Sequence, residues 1–347
     1  MKKYFSSTIC SHGYTSAFNM IYRKSPTAKV ILAYNGTDFE RAVFFKRLIH
    51  NFKGYNITLF NPFFDESTDG IYIKNLDTYI LSDSGYSKPC PLLSGIWEKH
   101  YSVTSNKNIP KDLRREMLIL KAYENNCYKK ACEMLKNASN AKGKIHSEFA
   151  PFFSDDKVIN FVRRFCGKHL KSNKTKGFGE TRLLCSPTPL GIHTHYDTVF
   201  ESCENVISIY DNFGFVGSVL LGVIRDYAVK EKISFIMSPS YYANDIVQTL
   251  IFPEQSLAIT INGENHVLPF EPQEKITISR FLTSESILSS PKIEALISIE
   301  NKLLEKCVMN IYDGRDYRFK FNDLCKGYED TDKATLSADK LCEQLIV

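Results

Sequence analysis

The sequence predicts an α/β protein made of two related halves in tandem, each with a parallel sheet covered by helices and an appended helical segment. The first observation is an internal match. Residues 29–53 read KVILAYNGTDFERAVFFKRLIHNFK and residues 205–229 read NVISIYDNFGFVGSVLLGVIRDYAV. Val30/Val206, Ile31/Ile207, Tyr34/Tyr210, Phe39/Phe215 and Val43/Val219 all fall 176 residues apart. The second is that this offset returns downstream, at Ile57/Ile233, Glu124-Asn125/Glu300-Asn301, Asp156-Lys157/Asp332-Lys333 and Cys166/Cys342. An offset near half of a 347-residue chain points to a duplication. The third is the junction: residues 171–180, KSNKTKGFGE, are polar and rich in Gly and Lys, as a linker is. The expected organisation is a first domain over 1–171, a linker over 172–180 and a second domain over 181–347.

Each element follows from its pattern. Short apolar runs, Val30–Tyr34 and Val206–Tyr210, read as strands, and each leads into a turn rich in Asn, Gly and Asp. In the first half Phe39, Ala42, Val43, Phe45, Leu48, Ile49 and Phe52 then recur at helical spacing. A second strand is expected at Ile57–Phe60 and Ile233–Met237, and a third at Thr78–Leu81 and Leu257–Ile261. Strand, helix and strand at this length make a βαβ unit, which implies parallel pairing. Residues 113–135 and 156–170, with 291–310 and 332–345 as partners, mix polar and apolar residues at helical spacing.

Composition sets outer bounds. Hydrophobic residues are 43% and charged residues 24%, which excludes a disordered chain, a collagen and a rod. The net charge of +5 is mild for this length and argues for neither nucleic acid nor membrane. The most apolar stretch, Phe213–Ile224, is too short to span a bilayer and contains three glycines. Lys2 and Lys3 are followed by Ser6, Ser7 and Thr8 rather than an apolar signal core, so a cytoplasmic protein is expected. The ten cysteines are scattered with no CxxC pair and read as small buried hydrophobes.

Ligands of βαβ units bind beyond the strand ends, where the next helix starts with unpaired N–H groups. The P-loop pattern GxxxxGK[ST] occupies that place in nucleotide-binding proteins. Neither half carries it intact. The first loop runs from Asn35 through Gly36, Thr37, Asp38, Phe39 and Glu40 to Arg41 and Ala42. Arg41 stands at the Lys position, Ala42 replaces the Mg²⁺ hydroxyl, and Asp38 and Glu40 would repel phosphate. Asp38 is also a candidate cap for the helix. The second loop, Asp211 to Ser218, keeps Gly214 and Ser218, but Gly217 holds the Lys position and Val216 replaces a glycine. It is uncharged except for Asp211.

With these loops, the chain resembles a bacterial family of tandem P-loop ATPase-like proteins, with two such domains in one polypeptide. Each half of that family opens with a segment like Phe-x-Ser-x-x-Thr-Pro-x-Gly. Leu184-Cys185-Ser186-Pro187-Thr188-Pro189-Leu190-Gly191 resembles it well and Phe5 to Gly13 less so. The family's later strand ends in an Asp-Gly-like turn, which Ile80-Leu81-Ser82-Asp83-Ser84-Gly85 and Thr260-Ile261-Asn262-Gly263 resemble. The resemblance implies two tandem P-loop NTPase-like domains with degenerate loops. Nucleotide contacts would fall to Gly36, Arg41 and Asp83, a Walker-B-like acid, and to Gly214, Gly217 and Ser218. The expected function is a non-catalytic binding or scaffolding protein that holds ATP with Mg²⁺ weakly or not at all. Its expected partner is a protein, which would dock on Phe213 and Phe215 exposed at the old cleft.

Two alternatives stay open. One is an active ATPase in which Arg41 and Asp83 act with groups from the other half. The other is a metal-dependent hydrolase built on His193, His195 and Asp197, since HxHxD on a strand puts its three ligands on one face. The basic run Lys168, His169, Lys171, Lys174 and Lys176 lacks interleaved aromatics and reads as a solvated linker. Cys10 and Cys185 lie near the opening glycines with no evident His partner, so the sequence gives no support for nucleophilic catalysis.

Overall fold

The computed structural model describes residues 1–22, 25, 27–83, 85–105, 107–171, 177–263 and 266–346. Most of the expected linker, and Lys174 and Lys176, lie outside the described residues. In the first half the strands are β1 (Lys2–Phe5), β2 (Ser7–Cys10), β3 (Gly13–Ser16), β4 (Lys29–Tyr34), β5 (Ile57–Asn61), β6 (Gly70–Ile73), β7 (Thr78–Ser82) and β8 (Glu98–Ser102). The helices are α1 (Ala17–Ile21), α2 (Asp38–Asn51), α3 (Lys111–Phe149) and α4 (Asp155–His169). The second half repeats them. Its strands are β9 (Gly179–Thr181), β10 (Cys185–Thr188), β11 (Gly191–Thr194), β12 (Asn205–Tyr210), β13 (Phe235–Pro239), β14 (Val247–Phe252), β15 (Leu257–Asn262) and β16 (Glu274–Thr277). Its helices are α5 (Tyr196–Phe200), α6 (Phe215–Lys230), α7 (Pro291–Cys325) and α8 (Thr331–Ile346).

The two six-stranded sheets have one topology. The first runs β1-β5-β6-β7-β4-β8 and the second, in the same sense, β9-β13-β14-β15-β12-β16. The expected parallel sheets are mixed sheets. β6 pairs antiparallel with β5 and β7, and β14 does the same with β13 and β15, while the remaining pairs are parallel. A four-residue strand such as GIYI gives little pattern to read, and the tight turn into β7 permits the antiparallel step. Both faces of the sheets are buried. Val30 and Leu32 face the core between the halves, and Ile31 and Ala33 face α2. Two-sided burial explains the unbroken apolar runs of β4 and β12.

The opening segments form hairpins, β2–β3 and β10–β11. Their glycines, Gly13 and Gly191, have φ of 122° and 120°, a region closed to side chains with a Cβ. Aligned on these glycines, Phe5 matches Leu183 and Thr8 matches Ser186. Phe5 N–H donates to the Leu183 carbonyl at 2.7 Å, and the Thr8 and Ser186 hydroxyls are 2.7 Å apart. A residue that touches its own equivalent lies at a twofold axis, so the two hairpins mark the pseudo-twofold.

The last helices of each half are exchanged. α4 packs on α6 of the second half: Val158, Phe161, Val162 and Phe165 join Ile207, Leu220 and Ile224 in one core. α8 packs on α2 of the first half, where Ala334, Ala338 and Leu341 meet Phe44, Phe45 and Leu48. Arg47 and Asp339 close that contact at 2.7 Å. Each sequence half therefore supplies a helix to the other's core. The long helices α3 and α7 pack against one another between the sheets, burying Tyr128, Leu135, Leu304 and Ile311. Their closest approach is Gly314, where a Cβ would lie 2.3 Å from the buried Tyr128 ring. Gly314→Ala is expected to destabilise the protein by about 1–3 kcal/mol through overpacking, read as a lower urea midpoint. An unchanged midpoint would show that the helices can part at no cost.

Candidate functional site

Both strand–helix turns fold around a carboxylate of the chain itself. In the first, Asn35 and Gly36 are left-handed at φ 61° and 81° and bring the chain round to α2. Thr37, not Asp38, caps the helix. Its hydroxyl accepts from Glu40 N–H at 3.2 Å, and the Glu40 carboxylate accepts from Thr37 N–H at 2.8 Å, a capping box. Glu40 is wholly buried and also accepts from Asp330 N–H at 2.6 Å and from Lys107 Nζ at 2.5 Å. Burial pushes its carboxyl up, and the bonds from Lys107, Thr37 and Asp330 pull it below the usual range. The residue expected to repel phosphate thus accepts the N–H of the loop's own Thr37.

The second turn reaches the same end from another position. Asp211, 2% exposed, accepts from the N–H groups of Phe213 at 2.9 Å, Gly214 at 2.8 Å and Gly217 at 2.7 Å. Burial raises its carboxyl, against the opposing pull of these bonds and of Lys142. Gly214 has φ 71° and opens α6 with no side-chain cap, so Asp211 does the capping from outside the helix. A Cβ on Gly217 would meet Ile261 at 3.0 Å and the Asp211 carboxylate at 3.3 Å. The Ser218 hydroxyl donates to the Gly214 carbonyl at 2.5 Å.

The cations are also spoken for. Arg41 donates to the Gly36 carbonyl at 2.6 Å and to Asp38 at 2.5 Å, closing the first loop on itself. A second cation reaches each loop from the other half. Arg318 of α7 lies 2.8 Å from Asp38 and 3.0 Å from Glu124. Lys142 of α3 lies 3.1 Å from Glu300 and packs over Gly214. Lys142 and Arg318 are 176 residues apart, as are Glu124 and Glu300, so the two bridges are twofold mates. Burial pushes the Asp38 carboxyl up, and Arg318 and Arg41 draw it below its ordinary value. The recurrence of Glu124 and Glu300 was visible in the sequence; their partners were not, because one is Lys and the other Arg.

The surroundings of the two loops differ. A cavity of about 390 Å³ opens beside the first, lined by Gly36, Arg41, Lys107, Lys121 and Arg318 among others. Beside the second, the side facing Lys142 keeps only about 40 Å³, with Tyr241, Tyr242 and His146 closing it, while a separate cavity of about 540 Å³ lies on the other side, lined by Tyr210, Asn212, Asn262 and Gly263 among others. Burial, then Lys142, lowers His146 to about 4, so its ring is neutral there. Asp83 directly follows β7, which pairs with β4, and its N–H donates to the Ala33 carbonyl. Its carboxylate faces Lys88 at 3.7 Å and His100 at 3.9 Å.

Other candidates change on inspection. Phe213 and Phe215 are half-buried rather than exposed, packed on Phe149 at 4.6 Å and Phe153 at 5.3 Å. The helical spacing read over 113–135 stopped short of Phe149, so the cover that α3 provides was missed. His193 lies on β11, but His195 is already at the start of α5. The two rings meet edge to face at 5.0 Å, with Phe5 against His195 at 4.4 Å, and burial lowers His195 to about 3. Among the described residues no group of three His, Cys, Asp or Glu side chains is placed to hold a metal ion. Cys185 does have a His neighbour, His266 Nδ1 at 3.8 Å, but burial pushes the thiol up to about 12 and keeps it protonated. Seven of the ten cysteines are buried. Among the described residues no helix is long and apolar enough to cross a membrane. No family model, curated protein or solved structure matches the chain.

Proposed function

We propose that the chain is a non-catalytic member of the P-loop ATPase-like fold that acts as a binding or scaffolding protein. One observation carries the reading: the N–H groups at both strand–helix turns already bond an internal carboxylate. Phosphoryl transfer depends on such donors being free to stabilise charge on the transferred group. Here a phosphate would have to displace a carboxylate held by up to three N–H bonds, and would meet its charge if it did not. Arg41 cannot replace the missing Lys while it braces Gly36 and Asp38. The protein partner of this reading would dock elsewhere than on Phe213 and Phe215, which α3 covers.

The test is phosphate release from Mg-ATP and Mg-GTP by the purified chain. Release at the buffer rate, unchanged in Arg41→Ala, is the expected result. Turnover that Arg41→Ala abolishes would overturn the reading in favour of an ATPase with an atypical loop.

A further inference from the structure

We propose that the open cleft beside the first loop binds a small phosphorylated molecule through side chains drawn from both halves. The inference rests on the reading above, in which the loop amides are not themselves the phosphate site. The duplication supplies an internal comparison. On the side where the trans cation reaches the loop, Arg318 in one half and Lys142 in the other, the enclosed volume is about 390 Å³ and about 40 Å³ respectively. Tyr241 and Tyr242 fill the second cleft, so nothing in the fold itself requires the first to be open. Its volume is that of a small-molecule pocket, roughly 300–1,000 Å³, and too small for a folded partner.

The lining sets the ligand class. Arg41, Lys107, Lys121 and Arg318 point to the cleft from the loop, the segment before α3, α3 and α7. The carboxylates in the same lining are Asp38 and Glu124. Each cation already has a carboxylate: Arg41 has Asp38, Lys107 has Glu40, Lys121 has Glu124, and Arg318 shares Asp38 and Glu124. Four cations against these three carboxylates leave one positive charge over, which an anion in the cleft would meet. Each cation also keeps donors in reserve, since Lys carries three N–H groups and Arg five. Ile109, Met117 and Phe321 give the cleft an apolar side for the rest of the molecule. A phosphoryl group fits the convergent cations better than a single carboxylate does, because it offers more acceptors and more charge.

Pyrophosphate carries the shared chemistry and nothing else, and is the probe. Titrated calorimetrically into the full chain without Mg²⁺ at low salt, it is expected to bind at one site. Lys121→Gln and Lys107→Gln should each weaken binding about tenfold, the scale of one charge-assisted bond, and Lys306→Gln on α7 should leave it unchanged. Circular dichroism checks that each variant is folded. No binding, or binding that neither Lys107 nor Lys121 affects, would overturn the proposal. The outcome is separable from that of the turnover assay. Hydrolysis of ATP would refute the non-catalytic reading, and loss of pyrophosphate binding would refute only this one.

Discussion

Replacing Asp211 with alanine is expected to cost about 4 kcal/mol of stability. Its carboxylate accepts three N–H bonds at 2.7–2.9 Å. Each N–H left buried without a partner costs about 1–3 kcal/mol. The neighbouring cavity of about 40 Å³ can admit a water that serves one of them. The other two stay unpaired, at the start of a helix with no side-chain cap of its own. At about 2.1 cal/mol/K of unfolding entropy per residue, the loss lowers Tm by about 5 °C. Asp211→Asn keeps one acceptor oxygen and should lose about half as much. If alanine at this position leaves Tm within about 1 °C, the N–H groups are met by solvent and the loop is open to a phosphate after all. The same measurement therefore probes both stability and the reason given for the proposed non-catalytic role.

Much of this was legible in the sequence, and the reason is physical. The offset of 176 residues found β4 with β12 and α2 with α6, because buried strands and their covering helices tolerate few residue types. The edge strands and β6 were missed because strands of three to five residues with mixed burial carry almost no period, and β14 because a six-residue strand buried at every position shows no alternation. The exchange of α4 and α8 was not legible at all. Their apolar stripes show that each covers a core, but not whose, and that choice is made by tertiary contacts such as Phe161 against Phe281 and Arg47 against Asp339.

The candidate site was half legible. That neither loop carries the full P-loop pattern was plain from Arg41, Ala42, Gly217 and Val216. The positions that fill the loops were present in the text but read in the wrong sense. Glu40 was read as a repulsive charge and Asp211 only as the one charge of its loop, yet both are acceptors in the fold, because a carboxylate just before or just after a turn can fold onto the turn's N–H groups. They do not occupy equivalent positions, so no repeat comparison could pair them.

The trans cations give the second large effect. Lys142→Met is expected to destabilise the protein by about 4 kcal/mol, and Arg318→Met by less. Removing one partner of a buried bridge costs about 3–5 kcal/mol, because the other charge stays buried. Glu300 is 2% exposed and is held by Lys142 and the Tyr242 hydroxyl, at 3.1 and 2.5 Å. Glu124 is as buried but has Lys121 at 2.7 Å as well as Arg318, and Asp38 has Arg41. The twofold mates are thus unequal in redundancy, and urea unfolding of the two variants should rank them. Adding Glu300→Gln to Lys142→Met should restore more than half the loss, since the stranded charge is then gone. A double-mutant cycle should give a coupling of about 2–3 kcal/mol for this pair. Equal losses in the two single variants, with no recovery in the double, would mean that these cations stabilise the helix pair by packing their stems rather than by their charge.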